Sequence, residues 1–288
     1  MAKLSSIEWT DSTFNPWVGC TKIDRPQGAP SACDFCYAES WSKRSGHVKW
    51  GNHPRRRTTE AYWNEARKWN ARGADFLAER GRRRRVFCAS LADVFDNQVD
   101  PVWRSDLWQL IRECGQLDWQ LLTKRPQNIQ KMLPADWGIG YENVWLGTTA
   151  EDAAAYQQRA KHLLRIPAVV HFISYEPAMG PIGRLSVRNQ VPDWLIIGGE
   201  SGVALDRTRP TKPAWVREAI AECQKYGVAP FLKQWGRYAN NPLVLEDNLS
   251  EREAMLIDPP ENGKGGGMLD GRLYRVFPES RALSTEAA

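Results

Sequence analysis

A chain of 288 residues with 42% hydrophobic residues can bury a full core, and α/β barrels reach this size as one domain. Its net charge of +5 excludes a strongly acidic or highly basic chain, yet basic residues gather at Arg55-Arg56-Arg57 and Arg82–Arg85, so a polyanionic partner is expected. Met1–Thr10 holds no apolar run of the signal-sequence kind, and no later segment approaches about 18 apolar residues in succession; a soluble, cytoplasmic protein without a membrane partner is expected.

In chain order, a first strand is predicted near Phe14–Val18 and a helix over 59–71. A β-rich run, Val86–Ser90, follows, then a helix over 101–116 with Pro101 in its first turn. Strands at Trp119–Thr123 and Asn143–Gly147 precede a helix over 151–165, and strands at Val169–Ser174 and Trp194–Gly198 precede a helix over 213–226 opened by Pro213. Pro230–Leu232 is the last strand. Short β-rich runs alternating with helices are the pattern of a parallel sheet with crossover helices. The expected fold is an α/β, partial or complete (β/α) barrel with about seven parallel strands. It would span 1–240, with 241–288 as a loop-rich appendix carrying Pro259-Pro260 and the run Gly263–Gly267.

The strand ends are polar: Ser90 to Asp93, Thr123-Lys124-Arg125, Thr148 to Glu151, Ser174-Tyr175-Glu176, Gly198-Gly199-Glu200-Ser201 and Lys233-Gln234. In a parallel barrel these ends meet on one face, so this repeated ending converges chemistry there. Helix capping explains one or two such endings and explains six poorly.

Three of the six cysteines crowd into residues 20–36, which argues for metal or redox chemistry over disulfides. Cys33 and Cys36 stand two residues apart, a spacing that lets two thiolates meet one metal centre, and Cys20 arrives across a Pro- and Gly-containing loop. On the residues alone, a zinc site completed by His47, His53 or a carboxylate stays open beside an iron-sulfur site. Cys88, Cys114 and Cys223 lie in strand or helix patterns and read as small buried hydrophobes. Most of the fourteen tryptophans read as core, although Trp also stacks on bases and adenine rings.

The segment Gly19-Cys20-Thr21 with Ala32-Cys33-Asp34-Phe35-Cys36-Tyr37 resembles the cluster loop of radical S-adenosylmethionine (SAM) enzymes. Together with Phe14–Cys20, Leu122–Pro126, Ser174–Pro177, Gly198–Gly202 and Lys233–Gly236, the stretch from about residue 7 to residue 236 resembles a bacteriophage-type uncharacterised family, the gene-product thirty-seven and sixty-eight family. One departure from the superfamily pattern is plain: twelve residues, not three, separate Cys20 from Cys33.

The resemblance implies a 4Fe-4S cluster on Cys20, Cys33 and Cys36, with one iron left open to the amino and carboxylate groups of SAM. It implies Phe35 near the adenine with Tyr37 beside it, Asp93 toward the SAM ammonium, Lys124 toward its carboxylate, and Thr148, Glu151 or Glu176 on the ribose. Lys124, Glu176, Glu200 and Lys233 form the expected catalytic set, and Arg207, Arg209, Lys233 and Gln234 are placed to receive an anionic substrate. The expected function is an enzyme that generates a 5'-deoxyadenosyl radical with an external electron donor, acting on nucleic acid or a nucleotide. A second reading is a zinc-stabilised nucleic-acid-binding protein without turnover. A third, a metal-free barrel hydrolase using Asp93, Glu176 and Glu200, leaves the cysteines unused.

Overall fold

The computed structural model describes residues 5–23, 25, 28–46, 48–201 and 207–279. The strands are β1 (Ser12–Phe14), β2 (Trp17–Val18), β3 (Arg56–Arg57), β4 (Arg84–Cys88), β5 (Leu117–Thr123), β6 (Val144–Thr149), β7 (Val170–Tyr175), β8 (Trp194–Gly198), β9 (Ala229–Gln234), β10 (Met268–Leu269) and β11 (Arg272–Leu273). The helices are α1 (Tyr37–Ser45), α2 (Glu60–Ala71), α3 (Gly73–Arg80), α4 (Pro101–Glu113), α5 (Ile129–Met132), α6 (Ala153–Leu163), α7 (Pro213–Tyr226), α8 (Pro242–Leu245) and α9 (Glu251–Ile257).

Seven strands form one sheet in the order β1-β4-β5-β6-β7-β8-β9, every neighbouring pair parallel. Strand order follows chain order, so the sheet winds in one direction; among the described residues the crossovers carry helices except for that from β7 to β8. Among the described residues β1 and β9 do not pair with each other, so the fold is an α/β half-barrel.

Local chemistry sets the helices. Asp100 accepts a hydrogen bond from the Val102 amide and Pro101 occupies the first turn of α4, Asp152 caps α6 through the Ala155 amide, and α7 runs from Pro213 to a left-handed Gly227. Helix α4 turns Leu107, Trp108 and Ile111 inward, the spacing of one helical face.

Alternation divides the sheet into two cores. Val86, Trp119, Leu121, Val144, Leu146, Ile173, Leu195 and Ile197 pack with the helices. Their neighbours Phe87, Trp145, Phe172, Trp194, Ile196 and Phe231 gather with Trp9 on the concave face. There Trp9 meets Phe87 at 4.7 Å, and Trp194 stands edge-on to Trp145 at 5.9 Å and to Phe231 at 5.8 Å. Gly147 makes room in this knot: a Cβ there would lie 2.4 Å from the Phe172 ring.

The first strand is a correction. The parallel sheet uses Ser12–Phe14, while Trp17–Val18 turns away to pair antiparallel with Arg56–Arg57; Pro16, lacking an amide hydrogen, lies between the two. Helices α1 and α3 are further elements that the hydrophobic pattern does not announce. Beyond residue 240 the chain runs back along β9, with Leu232 donating to the Tyr274 carbonyl at 2.8 Å and Val276 to that of Pro230 at 3.1 Å, which covers an otherwise open edge. Phe277 closes on Trp194 and Phe231, each at 5.2 Å. Fully buried Asp258 accepts hydrogen bonds from Asn241, Asn262 and the amides of Gly267 and Met268, fixing the glycine turn that carries Lys264.

The arginine run at the start of β4 is spent within the fold. Arg82 pairs with Asp11 at 2.6 Å, Arg83 with Glu142 at 3.5 Å, Arg84 lies over Phe76 at 4.4 Å, and Arg85 over Phe277 at 3.8 Å. Arg55 is likewise buried on Asp96 at 2.6 Å. Beside this run, burial pushes the Asp118 carboxyl up to about 6, against the pull of Arg83, Arg85 and Arg82. A raised folded-state value means that Asp118 opposes folding once it must ionise: the penalty is absent below the unfolded value and complete above about 6. Asp118→Asn is therefore expected to stabilise the protein at pH 7 by up to about 3 kcal/mol and to leave it unchanged near pH 3, as read from urea unfolding at the two pH values.

Candidate functional site

A cavity of about 500 Å³ opens at the C-terminal ends of the strands. Ala89 follows β4 into it, Lys124 follows β5, Thr149 ends β6, Ser174 and Glu176 come from β7 and the turn after it, Glu200 follows β8, and Lys233 belongs to β9. The aromatic knot supplies the floor through Trp9 and Phe87, and Cys20, Cys33 and Cys36 border the same space with Phe35 and Tyr37. All six cysteines are free thiols.

Cys20 leaves the β2–β3 ribbon after Gly19, whose φ of +112° suits glycine. Its sulfur accepts a hydrogen bond from Arg125 Nη1 at 3.5 Å and lies 3.4 Å from the Thr21 carbonyl. Burial pushes the Cys20 thiol up to about 11, with Asp93 adding to the rise and Arg125 opposing it. Cys36 immediately precedes α1, at the positive end of that helix's dipole.

The long insertion before Cys33 is pinned to the sheet by charge. Arg25 grips Asp152 through two hydrogen bonds of 2.7 and 2.9 Å and donates to the Pro30 carbonyl at 3.0 Å. Glu151 accepts from the Ala32 amide at 3.4 Å. On the other side Arg209 is paired with Glu200, reaches Asp34 at 3.0 Å and lies over the Phe35 ring at 5.0 Å. Cys33 and Cys36 are thus held by contacts from β6, α6 and β8.

Half-buried Lys124 lies among the three cysteines. Burial alone would favour its neutral amine, yet the electrostatic influence of Cys33, Cys36 and Cys20 holds it above the ordinary lysine value, with Arg159 opposing. Opposite, Lys233 pairs with Glu176 at 2.9 Å. A Cβ at Gly198 would lie 2.7 Å from a Glu176 oxygen, so glycine at this position leaves that carboxylate its place.

Of the residues expected from sequence, Cys20, Cys33, Cys36, Phe35, Tyr37, Asp93, Lys124, Glu176, Glu200, Lys233 and Gln234 border the cavity. Thr148 and Glu151 do not, and both expectations are corrected. Thr148 is one residue out of phase: it donates to the Thr123 carbonyl at 2.7 Å, while its neighbour Thr149 faces the cavity. Glu151 is fully buried and paired with Arg159 at 2.6 Å, so it supports the cysteine loop. Asp93 borders the cavity with a carboxylate already taken by Thr123 Oγ1, the Phe95 and Lys124 amides, and Arg125; four donors match its lone-pair capacity. Tyr37 donates to the Ser90 carbonyl at 2.7 Å. Arg209 is committed to Glu200 and Asp34, and Arg207 and His53 are exposed away from the lining. His47 and Gly202 lie outside the described residues.

Arg125, Thr149, Ser174 and Lys264 also border the cavity and were not singled out. Counting inward by twos from Trp145 reaches Thr149, so a signal existed for it. Lys264 comes from the glycine turn of the C-terminal segment and has no local signature. Three buried polar atoms of residues on the lining, Trp9 Nε1, Thr149 Oγ1 and Gln234 Oε1, have no hydrogen-bond partner among the described residues. Gln234 is oriented by its amide nitrogen, which donates to the Gly199 carbonyl at 2.7 Å. Leaving such atoms unpaired costs about 1–3 kcal/mol each.

A family model described as "Protein of unknown function (DUF5131)" matches residues 4–278. The chain belongs to this family. No curated protein matches significantly. Among solved structures, the chain is similar to a mutant spore photoproduct lyase holding AdoMet and a dinucleoside spore photoproduct, with a TM-score of 0.38 and 11% identity over 74% of this chain. The match spans 50% of that chain's length. No helix among the described residues is long and apolar enough to cross a membrane.

Because Arg25 ties the insertion to α6, Arg25→Met is expected to speed limited proteolysis between Thr21 and Ser31 by about tenfold while moving the melting temperature little, since an exchange without a core cavity costs on the order of 1 kcal/mol. Unchanged cleavage at that segment, read by mass spectrometry, would show that the clamp is dispensable.

Proposed function

We propose that this protein is a radical SAM enzyme, with Cys20, Cys33 and Cys36 holding a 4Fe-4S cluster at the mouth of the half-barrel. The observation that carries the reading is that three thiols, brought from segments twelve residues apart, border one cavity together with Lys124. Three thiolates beside a cation suit an anionic cluster with one iron left open. Among the described residues no three His, Cys, Asp or Glu side chains gather tightly about one ion position; His47, a further ligand candidate, lies outside them.

Such a cluster would supply, when bound, one electron from an external donor for breaking a carbon–sulfur bond of SAM into methionine and a 5'-deoxyadenosyl radical, which would take a hydrogen atom from the substrate. The chain's own residues prepare the place. Lys124 would meet the SAM carboxylate, and Phe35 and Tyr37 would receive the adenine ring; all three border the cavity. Glu176, held by Lys233, is an acceptor for the ribose hydroxyls or for the ammonium, a role the saturated Asp93 does not fill. Trp9 and Phe87 close the floor against water.

The substrate we place here is anionic, a nucleotide or a nucleic-acid strand. Lys124, Lys233 and exposed Lys264 border the cavity, and these lysines replace the arginine runs as the reason for that choice. The bacteriophage-type resemblance of the motifs agrees with a nucleic-acid substrate.

Anaerobic reconstitution tests the reading. The wild type is expected to take up iron and sulfide in equal amounts, turn brown, and release 5'-deoxyadenosine from SAM when reduced with dithionite, while Cys36→Ala loses at least 100-fold of that cleavage. A colourless wild type holding zinc, or cleavage undiminished by Cys36→Ala, overturns it.

A further inference from the structure

We infer that Arg125 tunes the iron–sulfur site through a hydrogen bond to the Cys20 sulfur, making the bound cluster easier to reduce. The inference rests on the reading of Cys20, Cys33 and Cys36 as cluster ligands and goes beyond it by assigning electronic control to one side chain.

The geometry at Arg125 is a closed set of contacts. Its Nη1 donates to Cys20 Sγ at 3.5 Å and to Asp93 Oδ2 at 3.0 Å, and its Nη2 donates to the Thr21 carbonyl at 2.7 Å. The Arg125 amide donates to Thr123 Oγ1 at 2.8 Å, and that hydroxyl donates to Asp93 Oδ1 at 2.7 Å. With Arg125 and Asp93 exposed by only 8% and 4%, this network holds the guanidinium in one place. A planar fork can meet sulfur, carboxylate and carbonyl together, whereas a lysine ammonium on a flexible stem cannot hold that arrangement.

The unusual spacing gives the contact its purpose. Cys33 and Cys36 take their separation from the turn that joins them, but Cys20 lies across a twelve-residue insertion and needs a support from outside its own loop. Arg125, at the end of β5, provides it. Once Cys20 releases its proton to solvent on binding a metal, its sulfur is an acceptor only, and the Arg125 N–H is the donor already facing it. Hydrogen bonds to ligating sulfurs are among the factors that set a cluster's potential: a donor draws negative charge from the thiolate and stabilises the reduced, more negative state. Asp93 lies close enough to push the other way, so the effect belongs to the hydrogen bond and not to the net charge of the pair.

The test is a redox titration of the reconstituted holoprotein, followed by the electron paramagnetic resonance signal of the reduced cluster. In Arg125→Met the reduced-to-oxidised ratio at a fixed potential is expected to fall about tenfold, which is 59 mV for a one-electron couple, with iron content unchanged because the three cysteines remain. Arg125→Lys is expected to fall between the two. Should Arg125→Met fail to fold with Asp93 buried and unpaired, the doubly substituted Asp93→Asn, Arg125→Met chain removes both charges and isolates the sulfur contact; its ratio must also fall. A ratio within twofold of wild type in whichever of these folds overturns the inference while leaving the cluster in place. Lost iron or a lowered melting temperature without a shifted potential would make Arg125 structural and overturns it too. A wild type that takes up no cluster overturns both this inference and the reading beneath it.

Discussion

The aromatic knot on the concave face decides where this molecule can be open. Trp9, Phe87, Trp145, Phe172, Trp194 and Phe231 fill the base of the half-barrel, and burying rings of this size is among the largest favourable terms available to a chain. Packed rings leave no passage through the base, so the space that remains lies above them, at the C-terminal strand ends. Those ends are also where a parallel sheet delivers loops from every strand. The cavity is therefore the part of the barrel interior that the rings do not occupy, with a dry floor and a polar rim.

Charge does a different task at that rim. Three ion-pair systems hold the cysteine loop: Arg125 with Asp93 at Cys20, Arg25 with Asp152 and neighbouring Glu151 before Cys33, and Arg209 with Glu200 at Asp34 and Phe35. Each joins the loop to a different strand end. Such pairs add little net stability, because desolvation offsets much of the attraction; losing one partner is costly at the buried Arg125–Asp93 pair and less so at Arg25–Asp152 and Arg209–Asp34, where the carboxylates are partly exposed. They serve to hold a segment that has too few apolar residues to pack itself. Acidic residues that resemble ligands in the sequence, Asp93 and Glu151 above all, are consumed in this way, and the groups that border the cavity include Lys124, Lys264, and Lys233 with Glu176.

The C-terminal segment shows how a stretch with little hydrophobic pattern still takes a defined course. Its backbone pairs along β9, Phe277 docks on the knot, and Asp258 gathers four donors around the glycine turn. None of these contacts is local, and each depends on a surface that exists once the sheet has formed. Through them Lys264, far from the strands in sequence, reaches the rim of the cavity.

The amino-acid sequence by itself determined the α/β class, six of the seven sheet strands to within a few residues, the four capped crossover helices, and the gathering of polar strand ends with the cysteines. Those features follow from short-range rules, since alternation, first-turn prolines and Asp caps act between residues only a few positions apart. Tertiary structure alone decided that Thr149 and not Thr148 faces inward, that the arginines before β4 are spent on Asp11, Glu142 and aromatic rings, and that Asp93 belongs to Arg125. A charged side chain has the same appearance in a sequence whether it meets a ligand or another part of the chain, and the difference is set by what the fold places within 3 Å of it.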